Sequence, residues 1–313
     1  MRIVLGTRGS DLARAQTCLV ERALRAAHPD LEVAIVLITT SGDEKGGRLV
    51  EVLDQKAGRK GMFTAEIERA LLDHRIDVAV HSAKDLPSET MAELAVCAAL
   101  PRAAVEDVLV SKTSGRLAAL PSGATIATGS VRRQHQLRAV RADLNLVDLR
   151  GNVPTRLRKL VENPWDGIVL ARAGLERLGY DCAGNEIQFH EQTLRIELLA
   201  DDRFIPAGGQ GIVALEIRSD DAHTRQLLTA INDPDALQCL RAEREFLRLL
   251  QGDCGTPVGV QARREADEMI LQAQVFADGE CEPMTRCCRA LFAASAPEAL
   301  AAVLFQQMYG KEA

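Results

Sequence analysis

Short apolar runs alternate with stretches whose apolar positions recur at helical spacing through most of this chain. Residues 2–5 read as a strand. Ser10 or Asp11 caps a helix to about residue 27, with Leu12, Leu19, Val20, Ala23, Leu24 and Ala27 on its apolar face. Residues 32–38 are rich in β-formers, and Thr64 stands where it would cap a helix through residue 72. Residues 78–81 form a buried strand that Leu86-Pro87 closes off, and residues 94–98 form another. This alternation predicts parallel-rich sheets with helices on both faces.

A second unit begins near residues 107–110. Residues 125–127 are a short strand, Ser130 opens a helix to about residue 141, and residues 144–149 are a strand. Pro154 fits the first turn of the next helix, followed by a strand at 167–171 and a helix at 173–178. Residues 206–211 (Pro-Ala-Gly-Gly-Gln-Gly) read as a flexible crossing, and 212–217 as one more strand. The remainder differs. A strongly amphipathic helix at 236–250 precedes a loop at 252–257, short strands at 258–262, 269–275 and 289–293, and a closing helix at 296–309. That is the pattern of a small α+β unit.

The 313 residues, 47% hydrophobic and 26% charged, suffice for two or three packed domains. No apolar run is long enough to span a bilayer, and Met1 leads at once into a strand, so the expectation is a cytoplasmic protein. Its 8 cysteines are then thiols rather than a disulfide framework. A net charge of −6 and 3% aromatic residues argue against a nucleic-acid surface. The arginines nonetheless crowd one central segment, among them Arg132, Arg133, Arg138, Arg141, Arg150, Arg156 and Arg158. A basic pocket in an acidic chain suits a small polyanion.

The segment of greatest chemical interest is His81-Ser82-Ala83-Lys84-Asp85, just past a buried strand. In open α/β sheets, ligands bind beyond the carboxyl ends of strands. A lysine and a carboxylate there can hold an anion and stabilise or move positive charge; a surface ion pair in a tight turn is the plainer alternative. Gly6-Thr7-Arg8-Gly9-Ser10, Thr128-Gly129-Ser130-Val131-Arg132-Arg133 and Arg150-Gly151-Asn152-Val153-Pro154-Thr155-Arg156 repeat one form: a strand ends, a helix opens, and arginine stands near the helix start. The arginines after Ser130 oppose the helix dipole, a cost that anion binding would offset; a solvated face with one paired arginine is the alternative. The Gly- and Lys-rich segment 56–63 has the composition of a lid or of a plain solvated loop. Cys254 lies in a glycine-flanked loop, open to use as a nucleophile or attachment point, although a lone loop cysteine is usually neither. Cys281, Cys287 and Cys288 lack zinc-ligand spacing, and His81 is expected to hydrogen-bond within its own turn.

Taken in order, Thr7-Arg8-Gly9-Ser10-Asp11-Leu12-Ala13, Gly42-Asp43, Lys60-Gly61-Met62-Phe63, the run from His81 to Pro87, and Gly129-Ser130-Val131-Arg132-Arg133-Gln134 resemble the porphobilinogen deaminase (hydroxymethylbilane synthase) family. Leu149-Arg150-Gly151-Asn152-Val153, residues 206–211 and Gly252-Asp253-Cys254 extend the resemblance over nearly the whole chain. It implies an α/β fold: two domains like type II periplasmic binding proteins, with mixed sheets, and a small α+β C-terminal domain. The corresponding boundaries are 1–100 with 211–230, 104–206, and 234–313, the last carrying the cofactor cysteine.

The resemblance implies a transferase that joins porphobilinogen units head to tail, losing ammonia at each step. Its primer is a dipyrromethane cofactor held by a thioether to Cys254, and hydrolysis releases the linear tetrapyrrole hydroxymethylbilane. Asp85 matches the catalytic aspartate. Arg8, Lys60, Lys84, Arg132, Arg133, Arg150, Arg156 and Arg177 match the groups that bind pyrrole carboxylates. Ser82, Thr128 and Ser130 match residues that hydrogen-bond primer or substrate, and Phe63 matches a lid aromatic. Porphobilinogen is then the substrate, the protein a monomer, and metal, membrane and nucleic acid play no part. Gly129 departs from a serine seen in some members, and Asp253 from a common glycine. The rival reading is a non-enzymatic binding or sensor module for a small polycarboxylate, because the same two-domain fold also serves receptors.

Overall fold

The first sheet grows outward from a strand that begins at the second residue. In the computed structural model, which describes residues 1–39, 64–200, 202–251, 257–277, 282–291 and 296–310, that strand is β1 (Arg2–Arg8). It leads into α1 (Asp11–Ala27), where Ser10 Oγ accepts the Ala13 N–H at 3.3 Å as the N-cap. β1 pairs in parallel with β2 (Glu32–Ile38) and β3 (Val78–Ser82). α2 (Ala65–Leu72) lies between those two in sequence, and β4 (Leu94–Ala99) follows them. Thr64 occupies the cap position of α2, but its side chain makes no capping bond.

The second sheet contains β5 (Asp107–Ser111), β6 (Thr125–Ala127), β7 (Asn145–Val147), β8 (Gly167–Ala171), β9 (Glu186–Phe189) and β10 (Gln192–Leu199), in the order β7-β6-β8-β5-β10-β9. α3 (Val131–Val140), α4 (Val153–Glu162) and α5 (Arg172–Arg177) connect or follow its strands. β11 (Val213–Arg218) then returns to the first sheet, entering antiparallel between β3 and β4 to give the order β2-β1-β3-β11-β4. Its Val213, Leu215 and Ile217 complete the core formed by Leu5, Val80 and α1 residues Val20 and Leu24. The sheets are therefore mixed, as expected of two units like type II periplasmic binding proteins, rather than parallel-rich. Strands that arrive by a crossing or a hairpin, without a βαβ connection, run the opposite way.

α6 (Ala222–Thr229), capped by Asp221, precedes the last unit. There α7 (Pro234–Leu249) and α8 (Pro297–Tyr309) pack on an antiparallel sheet of β12 (Val258–Glu265), β13 (Glu268–Val275) and β14 (Met284–Leu291). Phe246, Leu271, Ala301 and Leu304 centre this core. The strand expected at 289–293 thus begins earlier, at Met284, because the polar Thr285 and the exposed Arg286 and Cys287 interrupt the apolar pattern at its start.

The crossing expected to be flexible is a packed turn. Gly208, Gly209, Gln210 and Gly211 are buried, Gly209 has φ +75°, and a Cβ there would lie 2.8 Å from the Ala83 carbonyl carbon. Ala83 N–H donates to Ile212 O at 3.0 Å, and Ala103 N–H to Gly211 O at 3.1 Å. Glycine is required because the backbone turns left-handed against another backbone.

Candidate active site

The turn after β3 sits on this crossing. Residues 78–80 are buried, and Ala83 and Leu86 plug the turn into the core at 3% and 8% exposure. Alternation leaves Lys84 half-buried and Asp85 exposed at the end of a single 3-10 turn, residues 83–85. Ser82 Oγ donates to Gln16 Oε1 on α1 at 3.0 Å, tying the turn to the first helix. Burial, and after it the Arg133 guanidinium, push the Lys84 ammonium down to about 8, against the opposing pull of Asp85 and Asp107. His81 does not bond within the turn. Its Nε2 lies 3.0 Å from Glu216 Oε2 on β11, and both side chains are buried.

The facing wall is built on α3. Ser130 Oγ accepts the Arg133 N–H at 3.4 Å as the cap, and Thr128 is buried with its carbonyl accepting from Gln134 Nε2 at 3.0 Å. The arginines behind this cap are no solvated face. Arg132 and Arg133 are 4% and 5% exposed and grip opposite oxygens of the buried Asp107, at 2.8 and 2.7 Å. Arg133 also donates to Val169 O, and Arg132 to Ile205 O. Gln210 of the crossing donates to Asp107 Oδ1 at 2.9 Å, so one carboxylate joins the crossing to both arginines. Burial opposes ionisation of Asp107, but Arg132 and Arg133 overcome it and hold the carboxyl far below the usual carboxylate range.

The other basic residues lie around this wall. Arg156 is half-buried and donates through Nε to Gly151 O at 2.7 Å. Burial first, and Arg133 next, lower its pKa, against Asp85 and Asp148. Arg177 is half-buried and donates to Gly211 O at 2.6 Å. Arg150 is exposed and pairs with Asp148 at 2.9 Å. Arg8 is half-buried at the end of β1. The units touch at the helix starts, where a Cβ on Gly174 of α5 would lie 3.7 Å from Leu12 of α1 and 3.8 Å from Val153 of α4. A Cβ at Gly129 would lie 2.7 Å from Leu149 O, so glycine lets these two helix-entry turns lie close together. Lys60, Phe63 and Cys254 fall outside the described residues, as do Gly42-Asp43 and Cys281.

The structure thus brings Lys84, Arg133, Arg156, Asp85 and Asp107 into one electrostatic neighbourhood. Sequence reasoning missed Asp107, although a carboxylate opening the apolar run Val108-Leu109-Val110 was its signal. It also missed Glu243 of α7. That buried carboxylate accepts from Arg102 Nη1 at 2.6 Å, Gly209 N–H at 2.6 Å and Ala262 N–H at 2.7 Å, joining the crossing to the third sheet. Among the described residues, no group of three or more His, Cys, Asp or Glu could hold a metal ion.

Clustered, partly desolvated cations with an exposed carboxylate beside them can receive a carboxylate-rich ligand, with a base or cation-stabiliser at the edge. Comparison with known proteins gives this chemistry a family. A family model described as porphobilinogen deaminase, dipyromethane cofactor binding domain, matches residues 3–226, and one described as porphobilinogen deaminase, C-terminal domain, matches residues 237–301. The porphobilinogen deaminase of Roseiflexus sp. (strain RS-1) is 47% identical over 275 residues, 88% of this chain and 86% of that protein. That of Roseiflexus castenholzii (strain DSM 13941 / HLO8) is 44% identical over 307 residues, 98% and 95% of the two chains. Among solved structures, the methionine binding protein MetQ aligns with TM-score 0.44 and 13% identity, covering 75% of this chain and 92% of that one.

Proposed function

This chain belongs to the porphobilinogen deaminase family, and from that premise we propose that it condenses porphobilinogen head to tail for tetrapyrrole biosynthesis, releasing ammonia and finally hydroxymethylbilane. The observation that carries the proposal is the gathering of positive charge at Lys84, Arg133 and Arg156, where burial first and the Arg133 guanidinium next lower the pKa values of Lys84 and Arg156. A dipyrromethane with its acetate and propionate arms fits that charge, since bound carboxylates would relieve the repulsion.

When bound, such a group supplies a nucleophilic pyrrole carbon to which the next ring is joined. Cys254 is proposed to hold it by a thioether. Lys84, Arg133 and Arg156 hold carboxylate arms, with Arg8, Arg150, Arg177 and Lys60 taking arms further out. Arg132 acts with Arg133 through the shared Asp107. Ser82, Thr128 and Ser130 orient pyrrole N–H groups or carboxylates, and the resemblance alone assigns Phe63 the role of a lid aromatic. Asp85, exposed beside Lys84, stabilises the cation left on the incoming substrate when ammonia departs, and takes up the proton released at bond formation. Three domains (1–100 with 211–230, 104–206, and 234–313) form the working unit, a cytoplasmic monomer. Among the described residues no helix is long and apolar enough to cross a membrane.

Intact-protein mass spectrometry of freshly purified, active protein tests the proposal. A mass above that of the bare polypeptide by a dipyrromethane, lost in Cys254→Ser together with turnover of porphobilinogen, is the expected result. Asp85→Ala should keep the added mass and nearly abolish elongation. Turnover by protein of bare polypeptide mass would sink the tethered-primer reading, and a binding module for polycarboxylates would show neither added mass nor turnover.

A further inference from the structure

The third sheet makes a polar contact with the second unit to which the proposed chemistry assigns no role. Val258, Val260, Leu271, Ala273 and Val275 belong to the core that α7 and α8 cover. Gly259 and Gln274 alternate with these residues and stand opposite each other in the β12–β13 register, so they share the other face of the sheet. That face lies against the second unit. A Cβ on Gly259 would collide with the Ile205 carbonyl, and Val260 N–H donates to Pro206 O at 2.9 Å. Gln274 is buried, and its Oε1 accepts from Gln136 Nε2 on α3 at 2.7 Å. The rings of His135 and Phe276, 5.4 Å apart, extend the same contact.

Gln136 is also buried, one helical turn beyond Arg132, and its partners fix which way its amide lies. Its Oε1 accepts from Arg132 Nη1 at 2.8 Å, and a guanidinium can only donate. Its Nε2 donates to Ile205 O at 2.8 Å, and a carbonyl can only accept. Gln274 must therefore present its oxygen to Gln136. Arg132 Nη1 shares the Ile205 carbonyl at 3.0 Å, and Arg132 Nη2 meets Asp107 Oδ2 at 2.8 Å. An unbroken line of bonds thus runs from β13 through Gln136 and Arg132 to the carboxylate that clamps Arg133. We propose that Gln136 and Gln274 are positioning residues through which the third unit sets the arginine wall. This role rests on the functional reading above, in which Arg133 and its neighbours hold substrate carboxylates. The unit that carries Cys254 in sequence then also fixes the guanidinium groups, so that anchor and carboxylate grip keep one register as rings are added.

The test combines steady-state kinetics with porphobilinogen and the guanidinium NMR signals of isotope-labelled arginine, the Arg132 signal being assigned with Arg132→Lys. The variants are Gln274→Met, Gln274→Glu, Gln136→Met and the double variant Gln136→Met/Gln274→Met. Gln274→Met should raise KM about fivefold with kcat within about twofold, leave the covalent mass unchanged, and move the Arg132 signal, although residue 274 bonds Gln136 and not Arg132. Gln274→Glu keeps the accepting oxygen. It should melt earlier, because a carboxylate is then buried, yet hold KM within about twofold of wild type. Adding Gln274→Met to Gln136→Met should change KM no further, because the first acts through the second. An unaltered KM and Arg132 signal in Gln274→Met, a Gln274→Glu protein with KM raised as far as in Gln274→Met, or multiplying effects in the double variant would overturn the positioning role. If Gln136→Met does not fold, the two Gln274 variants decide. If the unmutated protein consumes no porphobilinogen, the functional reading falls, while the Arg132 signal in Gln274→Met still decides whether the third unit sets that side chain.

Discussion

The two walls of the cleft carry similar charges in opposite ways. On the second-unit wall, Arg132 and Arg133 are buried and clamped by Asp107, Val169 O and Ile205 O. On the first-unit wall, Lys84 is half-buried and Asp85 exposed, on a 3-10 turn whose backbone rests on Gly209. One wall is preorganised at the cost of desolvating its charges. The other leaves its carboxylate near water and only partly desolvates its lysine, so both can respond to a substrate. A growing polyanion needs both: a fixed grip, and groups that change role as each ring arrives.

Removing the clamp should have the largest effect. Asp107→Asn leaves Arg132 and Arg133 buried without a counter-charge, at a cost of about 3–5 kcal/mol measurable by denaturant titration. The same carboxylate gives an acid signature. Its folded pKa lies below the unfolded value of about 4, so its stabilisation is complete above that pH and is lost as pH falls toward the folded value. A variant stability curve parallel to wild type through that acid range would remove Asp107 from this role.

Disturbing the responsive wall should cost less. Gly209→Ala places a Cβ 2.8 Å from the Ala83 carbonyl carbon and 2.9 Å from the Lys84 backbone nitrogen, at φ +75°. The expected loss is about 1–3 kcal/mol, with a fall in kcat because the turn must shift. A variant with wild-type kcat would show that the turn tolerates displacement.

The smallest effect is the sharpest discriminator. Lys84 loses its proton near pH 8, so porphobilinogen binding should weaken a few-fold as pH rises through about 8. Stability should move the other way. The unfolded lysine holds its proton to about 10.4, so between about 8 and 10.4 the unfolded state binds more protons and folding gains with pH. Lys84→Met should erase both trends, and a KM that stays flat across this range in wild type would remove Lys84 from carboxylate binding.

Much of this was legible from apolar runs and caps. Ser10 and Ser130 cap α1 and α3, Pro154 falls in the first turn of α4, and the arginine-bearing helix starts lie where the sequence puts them. The hairpin of β9 and β10 went unread because Gln192, Thr193, Arg195 and Glu197 are interleaved with its buried Leu194 and Ile196. α6 went unread because its short run holds His223, Thr224, Arg225 and Gln226 beside few apolar residues. At the site, side chains near a single turn could be named in advance. Glu216 and Glu243 could not, and Asp107 could be flagged only as a carboxylate opening an apolar run, because each acts on partners distant in sequence that only the tertiary fold brings near. The left-handed glycines at 209 and 211 looked like looseness, yet each permits backbone-to-backbone packing that a side chain would block.

The placement of β11 has a consequence during synthesis. This strand, ending at Arg218, separates β3 from β4, yet it leaves the ribosome only after every strand of the second sheet. The nascent amino-terminal half must wait with an unfilled slot while the middle of the polypeptide emerges. Premature termination within the second unit would therefore release a fragment whose earliest-made sheet lacks an interior strand, a ready substrate for chaperones or proteases.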